Sequence, residues 1–492
     1  MSYAKRALRG SLFVFIASVL TAFLGYFTRI ILARGLTVED YGLFFAVFSF
    51  VSFLLFFRDL GLGSALVKHL AEFKAKKQFN EIKTGIFSVF FSLLILSAIF
   101  GLVLYLLAPI LAENYFQDAR AETILYFFIA YILFSALFMF IGNIFQGLQK
   151  IKIFSLMEPI RCALVVGIIF FLIKWDYGIL APVMAYTLSW LIVFVIFLPF
   201  AWSIISFLKY KVQNMPQITK QLYVFGIAIA LAQIGAKVIA RIDTLMLTYF
   251  TSLTDVGIYN VVQPTALLFL FFSSSITPVL YPLVSELWAK KDKKRLTEGI
   301  GLLHKYSFIL TMPAFLTMLV FSSLFIKITF GEKYVVGSLT LQILLAGILF
   351  LLVATVNNTV LSAIGKPSAV TKSFIIAAAI NFVLNLILIP LLGINGAAIA
   401  TSVSYLILLV MSTKYLVSYV QLKIPFASWI KTLFIGVLFT MTAFVLKRIL
   451  VMNVWLETAL ILLAAGIMYV ILAYWMKLID ISELKMYFKK AM

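Results

Sequence analysis

The sequence predicts an all-α polytopic membrane protein with about fourteen transmembrane helices. Apolar residues make up 64% of the 492 positions, whereas charged residues make up only 12%. A soluble domain cannot hide that much apolar surface, because its exterior must face water. The apolar residues also fall in runs of about 20, the length that crosses a bilayer as a helix. The composition therefore excludes an ordinary soluble enzyme and an intrinsically disordered chain.

Each predicted transmembrane helix corresponds to one apolar run. The runs lie near residues 10–33, 41–66, 84–110, 122–147, 154–173, 179–206, 221–250, 257–286, 301–329, 337–364, 373–392, 396–418, 431–450 and 455–476. The first is not a cleaved signal peptide, because its apolar stretch is too long and no small-residue cleavage site follows it. The eighth contains Pro264, Pro278 and Pro282. These prolines indicate either a broken helix that lines a cavity or the ordinary tolerance of membrane helices for proline.

The positions of the basic residues predict the orientation in the membrane. Most of the 40 Lys and Arg residues precede the first run, follow the last, or lie in the even-numbered gaps. Basic residues mark cytoplasmic loops, so we expect both termini in the cytoplasm and the protein in the plasma membrane. The net charge of +21 then reflects topology and predicts no nucleic-acid partner. The dense runs at 74–77 and 290–295 fit the same explanation, with binding of anionic lipid head groups as the alternative.

Residues for enzymatic or redox chemistry are scarce. A single cysteine, Cys162, cannot form an intramolecular disulfide, and His69 and His304 make no metal-ligand motif. The chain has no GxxxxGK[ST] loop for a nucleotide. The gaps on the outer side are short, so a membrane polymerase or glycosyltransferase with a large outer loop is disfavoured. We expect a transporter without a cofactor, driven by an ion gradient, the membrane potential or the substrate gradient.

A weak internal repeat divides the chain. Residues 39–44 match residues 254–259 at an offset of about 215, and Asn143 and Lys150 correspond to Asn358 and Lys366 at nearly the same offset. Six predicted helices separate the copies, so both have the same orientation in the membrane. Such a parallel repeat is typical of transporters that work by alternating access. We predict six-helix lobes at residues 1–215 and 216–420, and two additional helices with a cytoplasmic tail at 421–492.

Charged residues inside the predicted spans are the candidate site, because charge at membrane depth is costly and usually faces a cavity or a partner. The cations are Arg29, Arg58, Arg161, Lys237 and Arg241, and the acids are Asp59, Glu158 and Asp243. The cationic excess predicts an anionic ligand, and arginine favours phosphate through bidentate hydrogen bonds. Other interpretations are that Arg29 snorkels to the interface, and that Arg58–Asp59 and Glu158–Arg161 are structural pairs.

Four segments, at residues 9–11, 29–44, 58–65 and 146–150, resemble Wzx-type oligosaccharide flippases. Their superfamily also holds lipid II flippases and multidrug/toxin extruders. The resemblance implies two six-helix lobes around a central cavity, with the last two helices beside one lobe. It implies transfer of a polyprenyl-diphosphate-linked oligosaccharide from the cytoplasmic to the outer leaflet. We expect the protein to be a monomer surrounded by membrane lipid. The diphosphate would bind Arg29, Arg58, Arg161, Lys237 and Arg241. A cation antiporter and a lipid II flippase are the alternatives.

The likeness to lipid II flippases implies a sodium site as well. Its ligands would be Asp243, Asn381, Asn385 and Thr401, with Asn385 in place of a second acid. One carboxylate with neutral oxygens binds a hard cation more weakly. Alternatively, the two asparagines join helices by hydrogen bonds, or Asp243 pairs with Lys237 or Arg241 or carries a proton. The coupling ion is therefore expected to be Na⁺ or H⁺.

Overall fold

A computed structural model describes residues 3–204, 210–422, 425–450 and 453–478. This part of the chain is helical and contains no strand. The helices are α1 (Tyr3–Gly35), α2 (Val38–Asp59), α3 (Leu62–Ala75), α4 (Phe79–Leu111), α5 (Arg120–Gly147), α6 (Ile151–Lys174), α7 (Leu180–Ile204), α8 (Met215–Phe250), α9 (Leu253–Leu267), α10 (Leu270–Ala289), α11 (Lys293–Val320), α12 (Ser322–Thr329), α13 (Ser338–Ala363), α14 (Pro367–Leu392), α15 (Ile394–Val417), α16 (Phe426–Ile449) and α17 (Val454–Trp475). The predicted tail beyond residue 478 lies outside the described residues.

Thirteen helices in the described part are long and apolar enough to cross a membrane. They correspond to thirteen of the fourteen predicted spans, and the chain is a multi-pass membrane protein. The remaining prediction, residues 257–286, corresponds to two helices, α9 and α10, which are separated by a turn at Leu268–Phe269. The break follows Pro264 by one helical turn, whereas α10 continues through Pro278 and Pro282.

Two predicted spans end earlier in the structure than the sequence indicates. The second was predicted to reach residue 66, but α2 ends at Asp59 and α3 starts at Leu62. Leu60 and Gly61 between them have φ values of 46° and 71°. A Cβ on Gly61 would lie 2.1 Å from the carbonyl oxygen of Gly226, so only glycine fits this turn against α8. The ninth was predicted to reach residue 329, but α11 ends at Val320 and α12 continues separately.

The helices form two compact units. The first unit comprises Met1–Val261 and Ala378–Ala397, and the second comprises Val262–Ala377 and Ala398–Met492. In the first, α5 packs on α7 and α4, and α1 packs on α6. In the second, α10, α11 and α13 pack together around Leu280, Ile300 and Val360. The predicted boundaries at 215 and 420 follow the sequence repeat, and they stay a prediction.

The repeat is visible in the local structure of α2 and α9. Thr37 Oγ1 accepts a hydrogen bond from the N–H of Asp40 at 3.0 Å, and Ser252 Oγ accepts one from the N–H of Asp255 at 3.2 Å. Both are N-terminal caps in which a hydroxyl satisfies a free N–H of the first turn. Five residues after each cap lies a glycine, Gly42 or Gly257. The two copies therefore begin their helices in the same way.

Candidate functional site

The guanidinium of Arg29 lies inside the first unit. Its Nη1 donates a 2.7 Å hydrogen bond to the carbonyl oxygen of Asn260 on α9, and its Cζ lies 4.3 Å from the centre of the Phe45 ring. The Asn260 carbonyl needs a donor, because its helical partner four residues on would be Pro264, which has no N–H. The proline therefore creates the acceptor that holds Arg29.

Arg241 on α8 lies near Arg29. The two guanidinium groups are close enough to repel each other electrostatically, and Arg241 Cζ lies 5.6 Å from the centre of the Phe48 ring. In the described part of the chain, no carboxylate lies within 4.0 Å of either guanidinium. Repulsion between two half-buried cations is unfavourable unless an anion lies between them. This pair therefore attracts an anion to the first unit.

Two tyrosines connect the cations. Tyr186 lies within electrostatic reach of Arg29, Arg161 and Arg241, and Tyr131 lies within reach of Arg161 and Arg241. Three cationic side chains from three helices therefore converge on one aromatic cluster. Phenol hydroxyls donate hydrogen bonds and carry no charge, so they add donors for an anion without increasing the repulsion.

Arg161 is largely neutralised by a carboxylate. Its Nε donates to both Glu158 oxygens at 3.1 Å, and its Nη2 lies 2.5 Å from Glu158 Oε1. The guanidinium also lies over the Trp190 ring, with Cζ 4.1 Å from its centre. The Nη1 atom is buried and has no hydrogen-bond partner among the described residues. Glu158 and Arg161 thus form the pair that their spacing predicts, with one donor left over.

Arg58 and Asp59 lie at the end of α2. Arg58 is 1% exposed, and its Nη1 donates to the carbonyl oxygen of Ile132 at 2.7 Å and to Ser135 Oγ at 3.4 Å, both on α5. Asp59 interacts electrostatically with Arg58 and Lys237, and its Oδ1 is buried without a hydrogen-bond partner among the described residues. The side chain of Lys237 is exposed. Arg58 therefore joins α2 to α5, and Lys237 lies near a carboxylate.

Asp243 is the centre of a buried polar network. It is 0% exposed, and Tyr259 Oη donates to its Oδ2 at 2.6 Å. Asn385 Nδ2 donates to its Oδ1 at 2.8 Å and to Asn381 Oδ1 at 3.3 Å. Three of the four predicted sodium ligands therefore lie together in the first unit. The fourth, Thr401, is buried on α15 in the second unit, and its role as a ligand stays a prediction.

The sequence did not single out the uncharged members of these sites. Tyr131, Tyr186, Tyr259 and Asn260 each contact or lie near a predicted charge, but they occur among many apolar and aromatic residues without a distinguishing pattern. One signal was available for Asn260. Its position four residues before Pro264 identifies a carbonyl that lacks its helical donor.

Two family models match the chain. One, described as Polysaccharide biosynthesis protein, matches residues 7–288. The other, described as MatE, matches residues 228–387. The predicted resemblance to flippases and extruders of one superfamily is thereby confirmed.

Similar proteins come from archaea and from bacteria. An uncharacterized membrane protein of Methanocaldococcus jannaschii is 28% identical, over 99% of this chain and 98% of the relative. The probable low-salt glycan biosynthesis flippase Agl15 of Haloferax volcanii is 24% identical, over 85% of each chain. Among solved structures, the lipid II flippase MurJ in an inward closed conformation matches with a TM-score of 0.76, at 18% identity, over 95% of this chain and 100% of that chain. The fold is therefore that of MurJ, as the sequence predicted.

Proposed function

The chain belongs to the polysaccharide biosynthesis protein family, and from that membership we propose that it is a flippase for a polyprenyl-diphosphate-linked oligosaccharide. It moves this lipid from the cytoplasmic to the outer leaflet of the plasma membrane by alternating access, with both termini in the cytoplasm. The protein acts as a monomeric transporter and catalyses no covalent step. The relative Agl15 bears the name of a glycan biosynthesis flippase, which supports this choice of cargo.

The pair of Arg29 and Arg241 is the observation that carries the proposal. Moving a diphosphate across the bilayer unaided is very slow, because the charged group must leave water. Two guanidinium groups without a carboxylate partner replace part of that hydration, and each can donate two parallel hydrogen bonds to phosphate oxygens. The diphosphate also removes the repulsion between the two cations, so protein and cargo both gain from binding.

The other three cations have lesser roles in this proposal. Arg161 offers its remaining Nη1 donor, while Glu158 holds the guanidinium in place. Lys237, on the same helix as Arg241, attracts the diphosphate at longer range. Arg58 is engaged with the α5 backbone, so we assign it to holding α2 in position.

A sodium site at Asp243, Asn381 and Asn385 extends the proposal to coupling. Asn385 Oδ1 is buried and has no hydrogen-bond partner among the described residues, so it can accept a cation. The two Asp243 oxygens accept hydrogen bonds from Tyr259 and Asn385, and a sodium ion would displace at least one of these donors. Oxygen ligands of this kind suit a hard cation, and the single carboxylate predicts weak binding.

A multidrug/toxin cation antiporter is the second candidate. The MatE match over residues 228–387 includes Asp243, and a buried acid suits a cationic drug or a proton. The Arg29–Arg241 pair opposes this candidate, because it would repel a cation.

The test is the sidedness of lipid-linked oligosaccharide in cells that lack the protein. We expect sugar-loaded carrier to accumulate on the cytoplasmic leaflet, and the wild-type gene to restore outward transfer. Arg241→Ala and Arg29→Ala should each lower the transfer rate about 100-fold, as expected when a half-buried charged donor is removed from its partner. The control is Arg295→Ala on α11, whose side chain is 72% exposed, and which should transfer normally.

Two results would reject the proposal. Unchanged sidedness together with increased sensitivity to cationic drugs would favour the antiporter. Wild-type transfer by an Arg29→Ala, Arg241→Ala double variant would remove this pair from the site.

A further inference from the structure

The turn that follows α3 in the first unit recurs after α10 in the second unit, near the offset of the sequence repeat. Glu72 pairs with Lys76 at 2.8 Å in the first copy, and Glu286 pairs with Lys290 at 2.5 Å in the second. The residue after each of these lysines has a positive φ value, 58° in the first copy and 57° in the second. Backbone hydrogen bonds of the same pattern close both helix ends. The two turns are therefore copies with the same backbone.

In the first copy, another segment of the chain contacts the start of the next helix, α4. The Phe79 ring stacks on the Tyr210 ring, with 5.1 Å between their centres. Asn80 Oδ1 accepts a 3.1 Å hydrogen bond from the N–H of Lys211, and Lys83 Nζ donates one of 2.6 Å to the Tyr210 carbonyl oxygen. The segment before α8 therefore occupies the surface beside this turn.

The second copy carries cations at the start of its next helix, α11, where Lys293, Lys294 and Arg295 follow the turn. Arg295 pairs with Asp292 at 3.4 Å. Lys293, Lys294 and the turn residue Lys291 are exposed, and their ammonium groups make no hydrogen bond or ion pair in the described part of the chain. The same backbone therefore presents three unpaired lysines in the second unit.

The charge of these lysines is not balanced by neighbouring acids. Glu298, one turn after Lys294, is also exposed and forms no ion pair with it among the residues that the structure describes. The start of α11 is the positive end of its helix dipole, where cations are unfavourable. Like charges this close together repel each other, so an anion at this turn would stabilise the arrangement.

The turn lies where the second unit leaves the membrane. The segment of α11 that is long and apolar enough to cross a membrane begins at Lys293. Trp288, near the end of α10, packs with Leu287 against the apolar core around Leu280 and Leu296. Tryptophan is enriched at the surface of the bilayer, and lysine side chains there extend their ammonium groups towards the polar head groups.

We propose that Lys291, Lys293 and Lys294 form a binding surface for the anionic head groups of membrane lipids. Phosphate oxygens accept charge-assisted hydrogen bonds from ammonium groups, and their charge removes the repulsion within the turn. On the orientation proposed above, the turn faces the cytoplasmic leaflet, which carries the anionic lipids. The surface lies outside the proposed cargo site, and its binding can be measured without any transport.

The test measures the quenching of tryptophan fluorescence in phosphatidylcholine vesicles that contain the purified protein. The probe is brominated phosphatidylglycerol, an anionic lipid whose bromine atoms quench a tryptophan close to them. Brominated phosphatidylcholine is the neutral comparison. We expect stronger quenching by the anionic lipid, and Trp288→Phe identifies the share of this residue in the signal. Equal quenching of wild-type protein by both lipids would overturn the proposal.

The main variant is the triple substitution Lys291→Gln, Lys293→Gln, Lys294→Gln. A lysine at the membrane surface contributes about fivefold to the affinity for anionic lipid, so the triple variant should bind it about 100-fold more weakly. The stronger quenching by brominated phosphatidylglycerol should then disappear. A triple variant that keeps the wild-type preference would remove these lysines from the surface.

The matched control removes the same charge from the first copy by Lys74→Gln, Lys76→Gln and Lys83→Gln. Each of these lysines bonds an oxygen within the first unit, so we expect the lipid preference to stay. An equal loss of preference in this control would show that net charge, and not the turn after α10, attracts the lipid. That result would overturn the assignment.

Two further measurements identify the ligand and the cause. Inorganic phosphate at millimolar concentration should leave the quenching unchanged, whereas its removal of the preference would show a site for free phosphate and reject the lipid. The triple substitution Lys291→Arg, Lys293→Arg, Lys294→Arg keeps the charge and should keep the preference. Loss of the preference in the arginine variant would show that a change of local structure, and not of charge, explains the glutamine variant.

Discussion

Each unit contains a helical carbonyl group that a proline leaves without its usual N–H donor. The two units supply the missing donor with different side chains. In α9, Pro264 leaves the Asn260 carbonyl without its helical donor, and a guanidinium, that of Arg29, supplies one. In α11, Pro313 leaves the Ile309 carbonyl without its donor, and a neutral phenol, that of Tyr469, supplies one at 3.0 Å. A cation brings a charge that can serve a ligand, whereas a phenol only completes the packing.

The same difference extends through both interiors. The buried Arg and Asp side chains that the structure describes, Arg58, Arg161 and Asp243, all belong to the first unit. The buried polar residues of the second unit are hydroxyls, amides and His304. The comparison teaches that the proposed recognition of an anion fits the first unit, because charge that is fixed before the ligand arrives gives the strongest field in a medium of low polarity.

The largest expected effect is on Arg58. Arg58→Met keeps the size of the side chain but leaves Asp59 without its neighbouring cation, and should lower the free energy of unfolding by about 3–5 kcal/mol. The thermal unfolding midpoint of the purified protein measures this loss. The double variant Arg58→Met, Asp59→Asn should recover most of it, because no buried charge then remains alone. Failure of the double variant to recover would show that Arg58 contributes through packing.

Pro264→Ala separates stability from transport. The alanine N–H can bond the Asn260 carbonyl, so helix α9 should gain up to about 3 kcal/mol. Arg29 loses its anchor, and transfer of lipid-linked oligosaccharide should fall about tenfold, the effect of a misplaced ligand-binding group. Pro278→Ala, in a helix that continues through the proline, serves as the control. A variant that is both more stable and fully active would show that Arg29 needs no anchor.

Tyr469→Phe tests the corresponding carbonyl group in the second unit by removing the hydroxyl that donates to it. The Ile309 carbonyl is then buried without a donor, which should cost about 1–3 kcal/mol of stability. Transfer by the protein that remains folded should be unchanged, because no charge is displaced. Tyr474→Phe, at a position that is 65% exposed, is the matched control for unfolding. Reduced transfer by folded Tyr469→Phe protein would weaken the division of roles between the units.

The smallest effect is expected at Asp118, between α4 and α5. Burial raises the pKa of this carboxyl, whereas the hydrogen bonds and the charge of Arg120 lower it. The lowering effects together are larger, so the pKa lies below its ordinary value. Asp118 therefore stabilises the folded protein above the ordinary pKa of about 3.9, and this contribution disappears as the pH falls through the lower value. Asp118→Asn should cost at most about 1 kcal/mol at pH 7. The difference from wild type in unfolding midpoint should shrink as the pH falls below about 3.9, and a difference that stays constant there would exclude this ion pair as its cause.

Sequence reasoning succeeded where a single helix determines the outcome. The apolar runs fixed thirteen spans by length, and the spacing of Glu158 and Arg161 placed both on one helix face. Sequence reasoning failed for contacts between side chains and partners that are far apart in the sequence. Nothing near Arg58 indicates that the Ile132 carbonyl, 74 residues later, accepts its hydrogen bond. The aromatic residues near Arg241 could not be identified from the sequence either. A tyrosine beside a cation and a tyrosine facing lipid have the same local sequence.

The starts of α2 and α9 contact each other reciprocally. A Cβ on Gly42 would lie 1.8 Å from the Leu253 carbonyl oxygen, and a Cβ on Gly257 would lie 2.4 Å from the Val38 carbonyl oxygen. In the repeat, Gly42 corresponds to Gly257 and Val38 corresponds to Leu253. Each glycine therefore lies against the same position of the other copy. Two identical subunits make contacts of this kind across a twofold axis. The contact therefore has a local twofold symmetry within one chain, and either glycine can change only if the backbone opposite it moves as well.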